Sequence, residues 1–204
     1  MSSPVRRRWS RGALGLACAG ATLGTLLDAI HTQSHVTAYT RPLVLDTAWW
    51  VPVLFAGAFA IGLIRPILDR GPSPTTRAML GGMAAFAIAY GVSVLPLSWP
   101  IVSGLLLVIF AFTYLAFDGS RIGLAVAIGA AFGGPAVEVL LVAMGTFRHT
   151  VPVIAGVSGW LPFLYLTAAI ALQNLGKWLV DGPRGRALNP QRSPPRSSAA
   201  SPTA

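Results

Sequence analysis

Apolar stretches of about 20 residues, the length a helix needs to cross roughly 30 Å of hydrocarbon, recur six times along this chain. They fall near residues 12–30, 45–64, 78–95, 100–117, 122–145 and 157–180. The links between them are short: 31–46, 65–77, 96–99, 118–121 and 146–156. Short links between spanning helices leave no room for an extramembrane domain. The sequence therefore predicts an all-α membrane protein, an up-down bundle of six transmembrane helices. Composition agrees: 54% of the residues are hydrophobic and only 10% are charged. An average soluble domain carries roughly a quarter charged residues, so a soluble globular protein and a disordered one are both excluded.

The formal net charge of +9 invites a nucleic-acid reading, and the positions of the charges decide against it. Thirteen of the fifteen basic residues fall before the first span, in the second and fourth links, or at the end of the last span and beyond it; Arg41 and Arg148 alone fall on the other side. This asymmetry is the positive-inside pattern, and it predicts that both termini are cytoplasmic, which needs an even number of spans. No nucleic-acid partner is expected. Arg6, Arg7, Arg8 and Arg11 precede the first span as in a signal peptide, but the apolar run that follows is too long for one and is read as a retained helix. The expected organisation is a basic cytoplasmic start (1–11), a transmembrane domain (12–180) and a disordered Pro/Ser/Ala-rich cytoplasmic tail (181–204). The lone Cys18 lies inside the first span and is read as packing.

Small residues four apart let membrane helices approach closely, and Gly20 with Gly24 and Gly129 with Gly133 fit that spacing. Ionisable residues within a span are more informative because burying them is costly. Glu138 is the clear case, either a polar contact inside a cavity or a carboxyl bonded to Thr25, Tyr90 or Gln173 on a neighbouring helix. Asp28, Asp46 and Asp181 fall at span ends and are read as interfacial. Asp118 and Ser120 either cap the fifth helix or, with Arg121, form a docking point for another membrane protein. His31 and His35 are assigned to an interfacial loop. No catalytic constellation, Ser–His pair, metal cluster or cofactor loop is readable, so the chain is not expected to be an enzyme or to carry a cofactor.

Five motifs at span boundaries go further. They are Ser34-His35-Val36-Thr37, Thr47-Ala48-Trp49-Trp50-Val51-Pro52, Phe117-Asp118-Gly119-Ser120-Arg121-Ile122-Gly123, Ser158-Gly159-Trp160-Leu161-Pro162 and Gln173-Asn174-Leu175-Gly176-Lys177. In this order the chain resembles the INSIG (insulin-induced gene) family over residues 11–180. The resemblance implies six spans with cytosolic termini and a regulator that holds an amphipathic lipid, a sterol or a diacylglycerol, among its helices. The animal proteins retain a sterol-sensing escort protein in the endoplasmic reticulum and direct degradation of hydroxymethylglutaryl-CoA reductase. On this chain the implied pocket aromatics are Phe86 and Tyr114, and the candidate lipid contacts are Phe86, Tyr90, Tyr114 and Glu138. The family's acidic docking residue falls on Asp118, with Arg121 beside it. Gly119 stands where the family is usually basic, and Phe163 where it usually has a cysteine. The Ala/Arg/Gly/Pro-rich composition resembles that of a high-GC bacterium, so a bacterial cell membrane is expected (the endoplasmic reticulum for a eukaryote).

The leading expectation is a bundle holding one such lipid with its head group toward the cytoplasm, a lipid-sensing regulator of another polytopic membrane protein. An adaptor docking through the Asp118 loop, with lipid incidental, is the alternative. A transporter or intramembrane enzyme using Glu138 is the third class. The absence of a readable internal repeat and of paired ionisable residues speaks against it.

Overall fold

The computed structural model describes residues 4–182; the first three residues and the expected tail beyond Gly182 lie outside them. Six helical rods follow one another: α1 (Val5–Gln33), α2 (Val51–Leu68), α3 (Thr76–Ser93), α4 (Trp99–Phe117), α5 (Arg121–Ala143) and α6 (Leu161–Asp181). Five are long and apolar enough to cross a membrane, and α3, which includes Thr76, Arg77, Tyr90 and Ser93, falls short of the same apolarity. The all-α, six-helix expectation holds. Both described ends lie at one face, where Gly12 packs against Val180.

The arrangement is a ring of helices around a central one more than an up-down bundle. Helix α6 packs against all five others, and 72% of its most apolar stretch is buried, against 11% for α5. Its sequence explains the position. Ala168, Ala169, Ala171 and Gly176 let neighbours approach, and Gln173, Asn174 and Lys177 find partners only from several sides at once.

The expected small-residue contacts divide. At Gly20 and Gly24 α1 forms a π-helical turn and meets α2: a Cβ on Gly20 would strike the Phe55 carbonyl oxygen, and one on Gly24 would lie 2.8 Å from the Phe55 ring. Gly129 and Gly133 meet nothing. The close approach on α5 comes one residue later, where Gly134 lies under the Tyr165 ring.

Helices α2 and α6 begin later than their apolar runs, at Val51 and Leu161 where 45 and 157 were expected. The intervening residues are turned, with positive φ at Leu45, Asp46, Ala155 and Gly156 and narrow bridges at Val44–Thr47 and Ile154–Val157. Pro52 and Pro162 then sit in the first helical turns, where a missing N–H costs nothing.

These matched turns belong to a repeat that the sequence did not disclose. The α1–α2 hairpin and the α5–α6 hairpin follow the same backbone path 110 residues apart, through strands β1 (Thr37–Tyr39) and β2 (Phe147–His149). Val36 N–H to His31 O is repeated as Thr146 N–H to Leu141 O, and Leu43 N–H to Thr47 O as Val153 N–H to Val157 O. The two strands pair antiparallel with Ala38 opposite Arg148, themselves equivalent residues, so a local two-fold axis passes between them. The equivalent helices run in the same direction across the bundle, which sets this axis along the helices and not across them.

Candidate functional site

The hairpins and α3 enclose a cavity of about 710 Å³, with α6 as its floor. Most of its wall is aliphatic or aromatic: Leu54, Phe55 and Ile61 from α2, Phe86 from α3, Val137 from α5 and Leu164 from α6. Gly129 and Gly133 also face it, which is why they meet no neighbour. Among the described residues no group of three or more metal-ligating side chains occurs.

Polar groups gather at one end, where β1 and β2 cross. Equivalent positions of the repeat hold Asp28 and Glu138, and both border the cavity. The Tyr39 hydroxyl donates to Asp28 Oδ2 at 2.7 Å, and the equivalent ring, His149, lies with Nε2 2.9 Å from Glu138 Oε2. Burial and the Asp28 carboxylate push the Tyr39 phenol up, so it stays protonated and donates. Each ring leans on an equivalent tryptophan, Tyr39 on Trp50 and His149 on Trp160. Tyr165 adds a second donor to Glu138, at 2.7 Å from Oε1. Removing it with Tyr165→Phe leaves that oxygen without its partner and should lower stability by about 1–3 kcal/mol, measured as a fall in Tm in detergent.

Two histidine–serine pairs complete this end. His31 Nε2 is 2.7 Å from Ser93 Oγ, and the Ser93 hydroxyl donates to the Tyr90 carbonyl. His149 Nδ1 is 3.0 Å from Ser158 Oγ. Neither serine borders the cavity, so these pairs orient the imidazoles and present no nucleophile to a ligand. His31 is thus a buried residue of α1 stacked on Tyr90, where an interfacial loop was expected. Asp28, expected at the interface, is 7% exposed. Both lie near the end of an apolar run; Tyr39 of the folded-back hairpin covers Asp28, and Tyr90, Ser93 and Trp160 cover His31.

The expected lipid contacts separate accordingly. Phe86, Tyr90 and Glu138 border the cavity; Tyr114 does not. Tyr114 stacks on Phe110, and its hydroxyl donates to the Ser120 carbonyl at 3.4 Å. Glu138 bonds Tyr165 and His149 instead of Thr25, Tyr90 or Gln173. The polar lining also lies at the end of Arg41 and Arg148, opposite the end where the head group was expected.

The arginine-rich end is built differently. The guanidinium of Arg65, 6% exposed, reaches Asp118 Oδ1 at 3.0 Å, Asp69 Oδ2 at 3.3 Å and the side-chain oxygen of Asn174. Asn174 donates to Phe117 O, and Lys177 to the Asp69 carbonyl at 2.6 Å. Burial works against the Asp69 carboxylate, yet the Gly71 N–H together with Arg65 and Lys177 hold its carboxyl below the usual range. The Asp118 side chain is fully buried and also accepts the Ser120 N–H, while the Ser120 hydroxyl caps α5 by accepting from Gly123 N–H. Gly119 in the loop and Arg121 at the start of α5 are exposed.

No protein-family model matches the chain. The insulin-induced gene 2 protein of Gallus gallus is 29% identical over 172 residues, covering 78% of this chain and 76% of that one. The insulin-induced gene 1 protein of Homo sapiens is 26% identical over 196 residues, covering 88% and 71%. The crystal structure of MvINS, a mycobacterial Insig homolog from Mycobacterium vanbaalenii, superposes with a TM-score of 0.77 at 29% identity, over 83% of this chain and 94% of that one. The chain is similar to the INSIG proteins in both sequence and fold. It is a multi-pass integral membrane protein with the INSIG helical fold, and Asp118, Trp160 and Gln173-Asn174 take their places in that fold as packed elements of α6 and its neighbours.

Proposed function

We propose that this INSIG-like protein holds one amphipathic lipid, a sterol or a diacylglycerol, in the cavity between its two hairpins, and that it acts as a lipid-responsive regulator and not as an enzyme. The observation that carries this reading is the shape of the polarity: a long aliphatic space with hydrogen-bonding groups at one end only. Lipids have that distribution, and a mostly apolar pocket with a few placed polar groups is how such ligands are held. The bacterial cell membrane is the setting we infer, supported by the mycobacterial relative. The arginine distribution supports an orientation with both termini in the cytoplasm.

The repeat and the paired acids reopen the transporter reading, and the cavity argues against it. Transporters that alternate access, whether built from inverted or parallel repeats, place their substrate and ion sites near the bilayer midplane. Here both acids lie at one end, and the wall toward the arginine-rich end is Ile61, Ile64, Val126 and Leu172. No polar path crosses the bundle.

Protein purified in mild detergent should carry about one lipid per chain, found by mass spectrometry of the extract. Gly133→Leu places a side chain where a Cβ meets no atom of the protein and should fold normally while cutting bound lipid at least about fivefold, because it fills the space the chains need. Stoichiometric lipid in neither protein, with no rise in Tm on adding cholesterol or dioleoylglycerol, overturns the proposal.

A further inference from the structure

The links at the arginine-poor end turn apolar side chains outward. Leu43, Val44 and Trp49 are exposed between α1 and α2, Leu97 between α3 and α4, and Val151 and Ile154 between α5 and α6. The links at the arginine-rich end, 69–75 and 118–120, expose no large hydrophobic residue. Apolar area left in water is a standing cost, about 25 cal/mol per Å², so something other than water should cover the first set.

Helix heights place these links. Arg65, Asn174 and Asp118 meet at one level, with the exposed Arg121 close by in the chain, and this charged layer marks one boundary of the hydrocarbon. From it α2 rises only to Val51 and α6 only to Leu161, about 20 Å each, against roughly 30 Å of hydrocarbon. Helices α1 and α5 continue to Gln33 and Ala143. The links 40–50 and 150–160 come down beside them and fill the missing depth.

The repeat shows this twice with different residues. Val44 and Ile154 are equivalent, 65% and 63% exposed. Backbone in hydrocarbon must be satisfied internally, and each tip closes on itself, with Thr47 N–H on Val44 O and Val157 N–H on Ile154 O. The Leu45 carbonyl accepts the Thr32 hydroxyl at 2.8 Å, and the equivalent Pro42 and Pro152 have no N–H to satisfy. Charge is sparse. Link 150–160 has none; in link 40–50 Asp46 is bonded by Gln33, and Arg41 has a stem long enough to reach the phosphates.

We propose that links 40–50 and 150–160 are immersed in the leaflet at the arginine-poor end, with Val44 and Ile154 against acyl chains, so that lipid covers this end of the protein. Lipid is the occupant because the exposed tips continue the lipid-facing sides of α1 and α5, at Leu26 and Leu140. This placement does not depend on what fills the cavity.

Nitroxide labels on Val44→Cys and Ile154→Cys, each in a Cys18→Ser background, test it. The full-length proteins are reconstituted in vesicles of palmitoyl-oleoyl phosphatidylethanolamine and phosphatidylglycerol. Power-saturation EPR then compares collisions with oxygen and with a water-soluble nickel chelate present on both sides. A label on native Cys18, exposed within α1, gives the hydrocarbon reference, and one on Arg70→Cys, in a polar link, the aqueous one. The oxygen-to-nickel ratio at both tips should be at least about tenfold above that at Arg70→Cys, as for side chains sunk about 5–10 Å into the headgroup–acyl boundary. Ratios equal to that at Arg70→Cys would put the links in water and overturn the proposal. Protection from both reagents would put a protein surface over them, a second copy or a partner, and overturn it equally. Leu43→Cys and Val153→Cys, exposed at the same turns, replace any label that lowers Tm.

Discussion

Arg65→Met will cost about 3–5 kcal/mol of stability, the usual consequence of removing one partner from a buried ion pair. The guanidinium joins Asp118 in the α4–α5 loop, Asn174 on α6 and Asp69 beyond α2. Methionine fills similar volume but leaves the fully buried Asp118 carboxylate without a cation. The double variant Arg65→Met/Asp118→Asn should recover part of the loss, because the stranded charge is gone. Thermal unfolding of the four proteins in detergent, followed as loss of monodisperse protein, measures the cycle. Additive losses would show that the two residues do not act together. The same geometry changes what an Asp118 substitution says about a protein partner. Its carboxylate faces Arg65, so a partner lost in Asp118→Ala would accompany a fall in Tm, whereas the exposed Arg121 can be changed to alanine to test docking without disturbing the buried pair.

Gly176→Ala will cost about 3 kcal/mol or prevent folding, near the upper end for overpacking. A Cβ there would fall on the Gly62 carbonyl oxygen, and a Cβ on Gly62 would fall in turn on the Leu172 carbonyl oxygen. Backbone lies against backbone, so no side chain can turn away to make room. The crossing occurs where α2 tightens into its 3-10 segment, Phe59–Leu63, and it brings Arg65 within reach of Asn174 one turn further on. Gly82→Ala is the matching control: its Cβ would find the nearest atom at 3.4 Å, an ordinary contact, and little change in Tm is expected. Equal behaviour of the two alanine variants would refute the close approach.

How far the site was legible depended on whether its signal was local. Glu138 stood out because a carboxyl in the middle of an apolar run is costly wherever that run is placed. Asp28 did not, because it lies near the end of its run, where water is the default neighbour. The hairpin removes that water by folding Tyr39 back over it. The position of Tyr114 followed the family resemblance, yet the side chain packs outside the cavity. The repeat was hidden because equivalent residues are identical at few places, among them Thr40 and Thr150, Trp50 and Trp160, and Pro52 and Pro162. Backbone turns tolerate many residues, so matched paths leave little trace in composition or spacing.

By itself the sequence determined that this chain enters a membrane as six helices joined by five short links, and which links carry the arginines. Hydropathy, length and loop charge are sums over neighbouring residues, and no fold is needed to take them. Only the tertiary structure decided that α6 is the centre, that Asp118 faces inward, and that of two equivalent acids Glu138 is bonded by Tyr165 and His149 and Asp28 by Tyr39. Whether a buried polar atom has a partner is settled by residues outside its own apolar run, from Tyr39 over Asp28 to Asn174 at Arg65, and those distances are closed only by folding.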